Sequence, residues 1–389
     1  MQKDFHYFAT YAAAFLAGYT HEESLEIATA DQFTDLCTRT FLANIKGPLH
    51  AATTQLQLEL MDARTDPVGL QDITRIWASF HFLPYDLYAP CPRGSREYKE
   101  KYRLICRPNG TLVKETVELA KDRPLSAVGL AMHVLADTWA HQYFCGTPSL
   151  VINNTNYHFF ELVPGGDGTD PSVLSERKII FKNSLGVEDD FENGIYVNSL
   201  FQSSEYSIMN LGHGRAGHLP DYSFARYKYL PAWGNYEEIT KDNPSDYMHA
   251  FTQMIYAMKY LRGKIADFEL DKYDEEAINP YRDEIVDIFE KRRLDSSDDW
   301  AAFGKKLSGR EIKDFDIEGY KDEYTNSPRD AKEETWLGCF FEAALRQKSM
   351  ITNRIFRSGN MQAGFSIDAG KMSFFKGIRE YGRLIKENR

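Results

Sequence analysis

The feature that most constrains this 389-residue chain is a stretch at 124–144 in which apolar side chains nearly surround a predicted helix, while His133, Asp137 and His141 recur every four residues. Leu125, Val128, Leu130, Met132, Val134, Leu135, Trp139 and Phe144 leave no solvent face, so this helix is expected in the core. Four residues turn an α-helix by about 400°, so the three polar groups drift only roughly 40° per step and share one stripe. Once buried, each needs a partner. Ordinary core histidines bonded to carboxylates or carbonyls, with Asp137 as one partner, would meet that need. Three polar groups on one buried stripe favour a metal centre instead, because leaving them uncompensated is costly. His133 and His141 lie roughly 12 Å apart along the axis, near the limit for sharing one ion. Asp137 is therefore expected to bridge two ions about 3.5–4 Å apart, His133 on one and His141 on the other.

One helix cannot complete two coordination shells. His6, in an aromatic-rich first helix, is a candidate ligand and equally a core histidine. Asp35 ends the second helix, and Asp31, one turn earlier, reads as a solvated helix charge. His81 sits in the apolar run 76–83, where a neutral ligand or a hydrogen-bonded core residue is expected. The loop 211–221 is the most site-like segment. It combines His213, His218, Arg215 and Asp221 with glycines that allow close approach to a ligand. Arg215 could fork onto a phosphate oxygen or serve as an exposed structural arginine. His21 reads as solvated, and His50, His158 and His249 lack supporting partners.

The remaining pattern is mainly all-α: a multi-helix globular domain with a small β-hairpin and an irregular insertion. A helix over 4–17 is followed by a second, opened by a Thr20/Glu23 capping box and reaching about Cys37. A third runs over 71–83. Residues 102–114, with Asn109-Gly110 between β-prone runs, read as the hairpin. Residues 147–195, rich in Asn, Gly, Asp and Pro, read as an irregular insertion with a β-prone run at 179–181. The stretches 247–262, 275–292, 298–306 and 330–350 show helical spacing. Residues 1–240 are assigned as the metal-binding helical region, and 241–389 as a C-terminal helical region on the same core. Aromatic residues between Tyr222 and Tyr229 are expected to be core more than a stacking surface.

With 43% hydrophobic residues the chain can bury a large core. A net charge of −11 without a basic face argues against duplex nucleic acid. Five separated cysteines without a Cys-x-x-Cys pair point to reduced thiols. The apolar stretch 7–18 lacks the order of a signal peptide and is too short to span a bilayer. The expectation is cytoplasmic, without a transmembrane segment.

Asp4-Phe5-His6-Tyr7, Gln32-Phe33-Thr34-Asp35, His133-x3-Asp137-x3-His141 and the loop Gly212-His213 through Gly217-His218 to Pro220-Asp221 together resemble an uncharacterised bacterial domain family over about 1–230. That family looks like the zinc-dependent phospholipase C and single-strand nuclease superfamily. The resemblance implies an all-α fold and a zinc cluster of two or three ions, with another divalent metal as an alternative. It implies Asp137 as bridging ligand beside His133 and His141, with His6, Asp35, His81, His213 and His218 as further ligands. The superfamily's N-terminal Trp ligand and its final helical His-x3-Glu or His-x3-Asp pair have no counterpart in this sequence. Phosphoester hydrolysis is the expected chemistry, with Asp35, Asp137 and Arg215 as catalytic candidates. A small phosphodiester or a phospholipid headgroup is the expected substrate. A non-enzymatic, metal-stabilised helical interaction protein is the alternative, as is a metal-free His/Asp pocket that shuttles protons or binds a ligand.

Overall fold

The computed structural model describes residues 1–91, 94–155, 158–165, 174–183, 188–198 and 204–365, together with 379, 382–384 and 386. The fold is mainly helical, with a small antiparallel sheet. The Leu125–Ala140 helix lies at its centre and is buried from Ser126 to Ala140, as its apolar perimeter requires. Around it pack the helices His21–Thr34, Thr111–Leu119, Asn243–Leu261 and Trp336–Arg357. One apolar core joins side chains from distant parts of the chain, among them Phe5, Leu135, Phe251 and Phe340. Each such side chain contributes about 1.5–3 kcal/mol by its burial.

Two local geometries position the polar residues. The chain opens with a π-helical turn, Asp4–Ala9, that continues into the Thr10–Leu16 helix and carries His6. Such wide turns often accompany functional sites. The Thr20/Glu23 capping box forms as expected and starts His21–Thr34. That helix crosses the central one closely: a Cβ on Gly129 would lie 2.2 Å from the Ile27 carbonyl oxygen and 2.6 Å from Ala30 Cβ. Glycine permits this approach, and one turn later it sets His133 against Asp31.

The central helix is shorter than expected. His141 is its C-terminal cap, at φ −93° and ψ 13°, and Tyr143 follows at φ 80°. That left-handed turn ends the helix before Phe144.

The expected hairpin at 102–114 is absent. Arg96–Tyr102 and Thr111–Leu119 are helices, and although Asn109 takes φ 60°, Gly110 caps the second of them. Strands occur instead in and after the region read as irregular: β1 (Phe159–Pro164), β2 (Leu174–Lys178), β3 (Ile180–Lys182), β4 (Ile195–Val197), β5 (Arg226–Tyr229) and β6 (Ile239–Asp242). Antiparallel β2-β1-β5-β6 form one sheet, with Phe160 opposite Lys178 and Phe159 opposite Tyr229, while β3 and β4 pair in parallel. Tyr227 and Tyr229 alternate inward along β5. With Phe159, Phe144, Phe82, Ala216 and Leu219 they form a second core behind the 211–221 loop. Tyr222 and Phe224 are buried there too, which fits their reading as core. Among the described residues no helix is long and apolar enough to cross a membrane.

Candidate metal centre

Five parts of the fold converge on one buried point. His6 comes from the π-helical turn, and Asp31 and Asp35 from the end of His21–Thr34. His81 caps the Pro67–Phe80 helix. His133 and Asp137 come from the central helix and His141 from its cap. His213 and Asp221 come from the 211–221 loop, which is held by the Asn243–Leu261 helix. Asn243 Nδ2 donates to the Leu219 and Tyr222 carbonyls, both at 2.8 Å, and the Tyr247 hydroxyl donates to the Pro220 carbonyl at 3.2 Å.

Each of the five histidines has one ring nitrogen tied to an outer acceptor. His81 Nε2 lies 3.0 Å from the Thr53 carbonyl, His141 Nδ1 2.8 Å from the His81 carbonyl, and His213 Nδ1 2.8 Å from the Gly217 carbonyl. Gly217 reaches this position at φ 59°, where a Cβ would strike the Val197 carbonyl oxygen at 2.1 Å. His6 Nδ1 and His133 Nδ1 both face Asp31 Oδ1, at 2.7 and 3.1 Å. A carbonyl only accepts, so the facing nitrogen carries the hydrogen and, in the neutral ring, the other nitrogen presents a lone pair.

Those second nitrogens all turn inward. His81 Nδ1 and His133 Nε2 lie 3.1 and 3.2 Å from Asp137 Oδ2, and 3.2 Å from each other. Asp35 Oδ1 stands 3.7 and 3.8 Å from the same two nitrogens. On the other side of the carboxylate, His6 Nε2 is 3.2 Å from Asp137 Oδ1 yet makes no hydrogen bond. His141 Nε2 and His213 Nε2 approach Asp221 Oδ1 at 3.2 and 3.6 Å.

The Met1 amine reaches into the same space. It donates to Asp137 Oδ1 at 3.0 Å and lies 3.4 Å from Asp221 Oδ1 and 3.2 Å from His141 Nε2. Burial opposes its charge, but Asp137, Asp221 and Asp35 hold it up to about 11. His133 is raised to about 10 in the same way, with burial outweighed by Asp137 and Asp35. Burial pushes His213 down to about 4 and also lowers His81. Asp137 and Asp221 stay well below the usual carboxylate range despite burial, held there chiefly by His141 and His213 respectively, and by the Met1 amine. The cluster thus gathers Asp31, Asp35, Asp137 and Asp221 with five histidines and the Met1 amine in one largely buried space.

Of the residues singled out from the sequence, His6, Asp35, His81, His133, Asp137, His141 and His213 come together. Among the described residues, three sets bring their ligand-type atoms within 4.8 Å of one another: His6/Asp31/His133, Asp35/His81/His133 and His141/His213/Asp221. His218 is 60% exposed and approaches Asp221 Oδ2, at 3.3 Å. Arg215 is buried, and its Nε and Nη2 donate to Asn210 Oδ1 at 3.2 and 3.1 Å, which braces the loop. Asp31 is fully buried, correcting its reading as a solvated charge. Its helix is buried on nearly every side from Ile27 to Thr34, so no solvent face was available to it. The Met1 amine is a main-chain group that no side-chain pattern announces, and Asp221 was signalled only by the company of His213 and His218.

A family model described as a family of unknown function, DUF6765, matches residues 1–355, and the chain belongs to that family. No curated protein and no solved structure matches it.

Proposed function

We propose that this chain is a metal-dependent phosphoester hydrolase with a multinuclear centre, of the zinc type, bridged by Asp137. One observation carries the proposal: His81 Nδ1 and His133 Nε2, each ring tied through its other nitrogen to an outer acceptor, lie 3.2 Å apart and both face Asp137 Oδ2. His133 carries a proton here, and a divalent cation that displaces it would meet two imidazole nitrogens and a carboxylate oxygen at one point. The distances linking Asp35, His81, His133 and Asp137 run from 3.1 to 3.8 Å. They bracket the roughly 3.4 Å edge of a tetrahedron built on 2.0–2.1 Å bonds. Imidazole with carboxylate suits zinc better than magnesium or calcium, which prefer oxygen alone.

Asp35, His81, His133 and Asp137 Oδ2 would hold one ion. Asp137 Oδ1 and His6 Nε2 offer donors for a second, and His141, His213 and Asp221 for a third. Bound ions of this class supply an acidified water and offset charge on a phosphoryl oxygen. The protein's part is to hold the donors in place and to exclude water on the inner side, where His6, His133 and Asp137 are at most 1% exposed. Asp35, 30% exposed, marks the side open to solvent and substrate. Substrates of the phosphodiester and phospholipid-headgroup class fit the family likeness and an acidic chain that repels duplexes.

The test is hydrolysis of bis(4-nitrophenyl) phosphate and 4-nitrophenyl phosphorylcholine by the full chain loaded with Zn²⁺. Turnover that chelation abolishes and Zn²⁺ restores is the expected result. A fully loaded chain inert towards both would favour a second reading, a metal-stabilised helical interaction protein, which the near-complete burial of the inner residues supports.

A further inference from the structure

Asp31 stands outside the ring of inward-facing donors. Its Oδ1 accepts from His6 Nδ1 at 2.7 Å and from His133 Nδ1 at 3.1 Å, and its Oδ2 accepts from the Thr10 hydroxyl at 2.7 Å. The two 2.7 Å contacts have charge-assisted lengths, and the His133 contact is an ordinary hydrogen bond. The separation from His6 is too short for two ligands of one ion, which would stand roughly 3.4 Å apart on 2.0–2.1 Å bonds. The two imidazoles that Asp31 grips are stacked, with centroids 4.0 Å apart and planes 24° apart. Their other ring nitrogens face opposite oxygens of the Asp137 carboxylate, His6 Nε2 to Oδ1 and His133 Nε2 to Oδ2.

We infer that Asp31 is a positioning residue shared by two metal positions: one buried carboxylate orients His6 for one ion and His133 for the next, so the two are loaded together. The inference rests on the metal-centre reading. Outer carboxylates of this kind fix ring orientation and raise the basicity of the ligating nitrogen, and their loss typically weakens metal binding about 10- to 100-fold. Here a single substitution reaches two ligands, because Thr10 fixes the carboxylate from behind and the close crossing at Gly129 holds it against His133.

The experiment is a Zn²⁺ titration of the full chain against a chromophoric chelator, comparing wild type with Asp31→Asn, which keeps the shape and one acceptor oxygen but removes the charge. The expected result is two positions weakened together by about 10- to 100-fold, with His6 and His133 ring ¹⁵N shifts changed in the zinc-loaded protein. Unchanged affinity, or weakening of a single position, would overturn the inference. A wild-type chain that takes up no Zn²⁺ would instead overturn the metal reading itself. Thr10→Val provides the second variant should Asp31→Asn not fold. It leaves the charge but frees the carboxylate to rotate, and a smaller loss at the same two positions is expected. No change there would also overturn the inference.

Discussion

At the scale of single residues the molecule depends on where buried charge is placed, and Asp137 stands at the middle of it. Asp137→Asn preserves volume and removes the charge shared between His6 on one oxygen and His81 and His133 on the other. Metal analysis of that variant should show at least one equivalent of zinc lost while far-ultraviolet circular dichroism stays helical; full retention would mean Asp137 bridges nothing. Lys348 makes a different kind of claim. From the Trp336–Arg357 helix its ammonium donates to the His50 and Ala52 carbonyls at 2.8 and 2.5 Å, next to Thr53, whose carbonyl fixes His81. Burial, against the opposing pull of Asp72, lowers its pKa to about 8. The unfolded chain therefore binds the extra proton between about pH 8 and 10.5, and stability rises with pH across that window. Relative to Lys348→Met, the wild type should gain about 3 kcal/mol there in urea unfolding, at 1.36 kcal/mol per pKa unit. A difference between the two proteins that does not change with pH would show that Lys348 is not buried as a charge.

At the scale of elements, the crossing of His21–Thr34 with Leu125–Ala140 aligns the ligands. Gly129→Ala would place a methyl group 2.2 Å from the Ile27 carbonyl oxygen. The helices must then part, at a cost of about 1–3 kcal/mol, and His133 must draw away from Asp31. Chemical denaturation and zinc affinity should both fall, whereas a loss of stability with affinity intact would separate the crossing from the site. The central helix was legible in the sequence because its apolar residues cover every side. The 102–114 region was not. Asn109-Gly110 is a turn signal for a hairpin and for a helix start alike, and the deciding pattern, Leu112, Val113, Thr116 and Val117, extends past the window that suggested a strand. The strands β1, β2 and β5 were obscured by the polar segments between them, and their pairing depends on long-range register. In the site, histidines on apolar stretches stood out because polarity there is costly. Asp31 sat among ordinary helix charges, and only the tertiary fold shows that no water reaches it.

At the scale of the whole molecule, the centre is a joint between distant parts of the chain. His6, His81, His133 and His213 come from separate elements, so ions held among them would cross-link the fold. A ligand that binds the folded state alone, at one hundred times its dissociation constant, adds about 2.7 kcal/mol per site. Chelation should therefore lower the thermal midpoint by an amount on the order of 5–10 °C, and added Zn²⁺ should restore it. A midpoint indifferent to both would mean that ions do not tie these elements together. The central claim, that the converging histidines and aspartates form a multinuclear metal centre, is tested most directly by elemental analysis of the full chain purified without chelators from zinc-supplemented culture. Two or three equivalents of zinc per chain is the expected result; less than one equivalent of any divalent metal would contradict it.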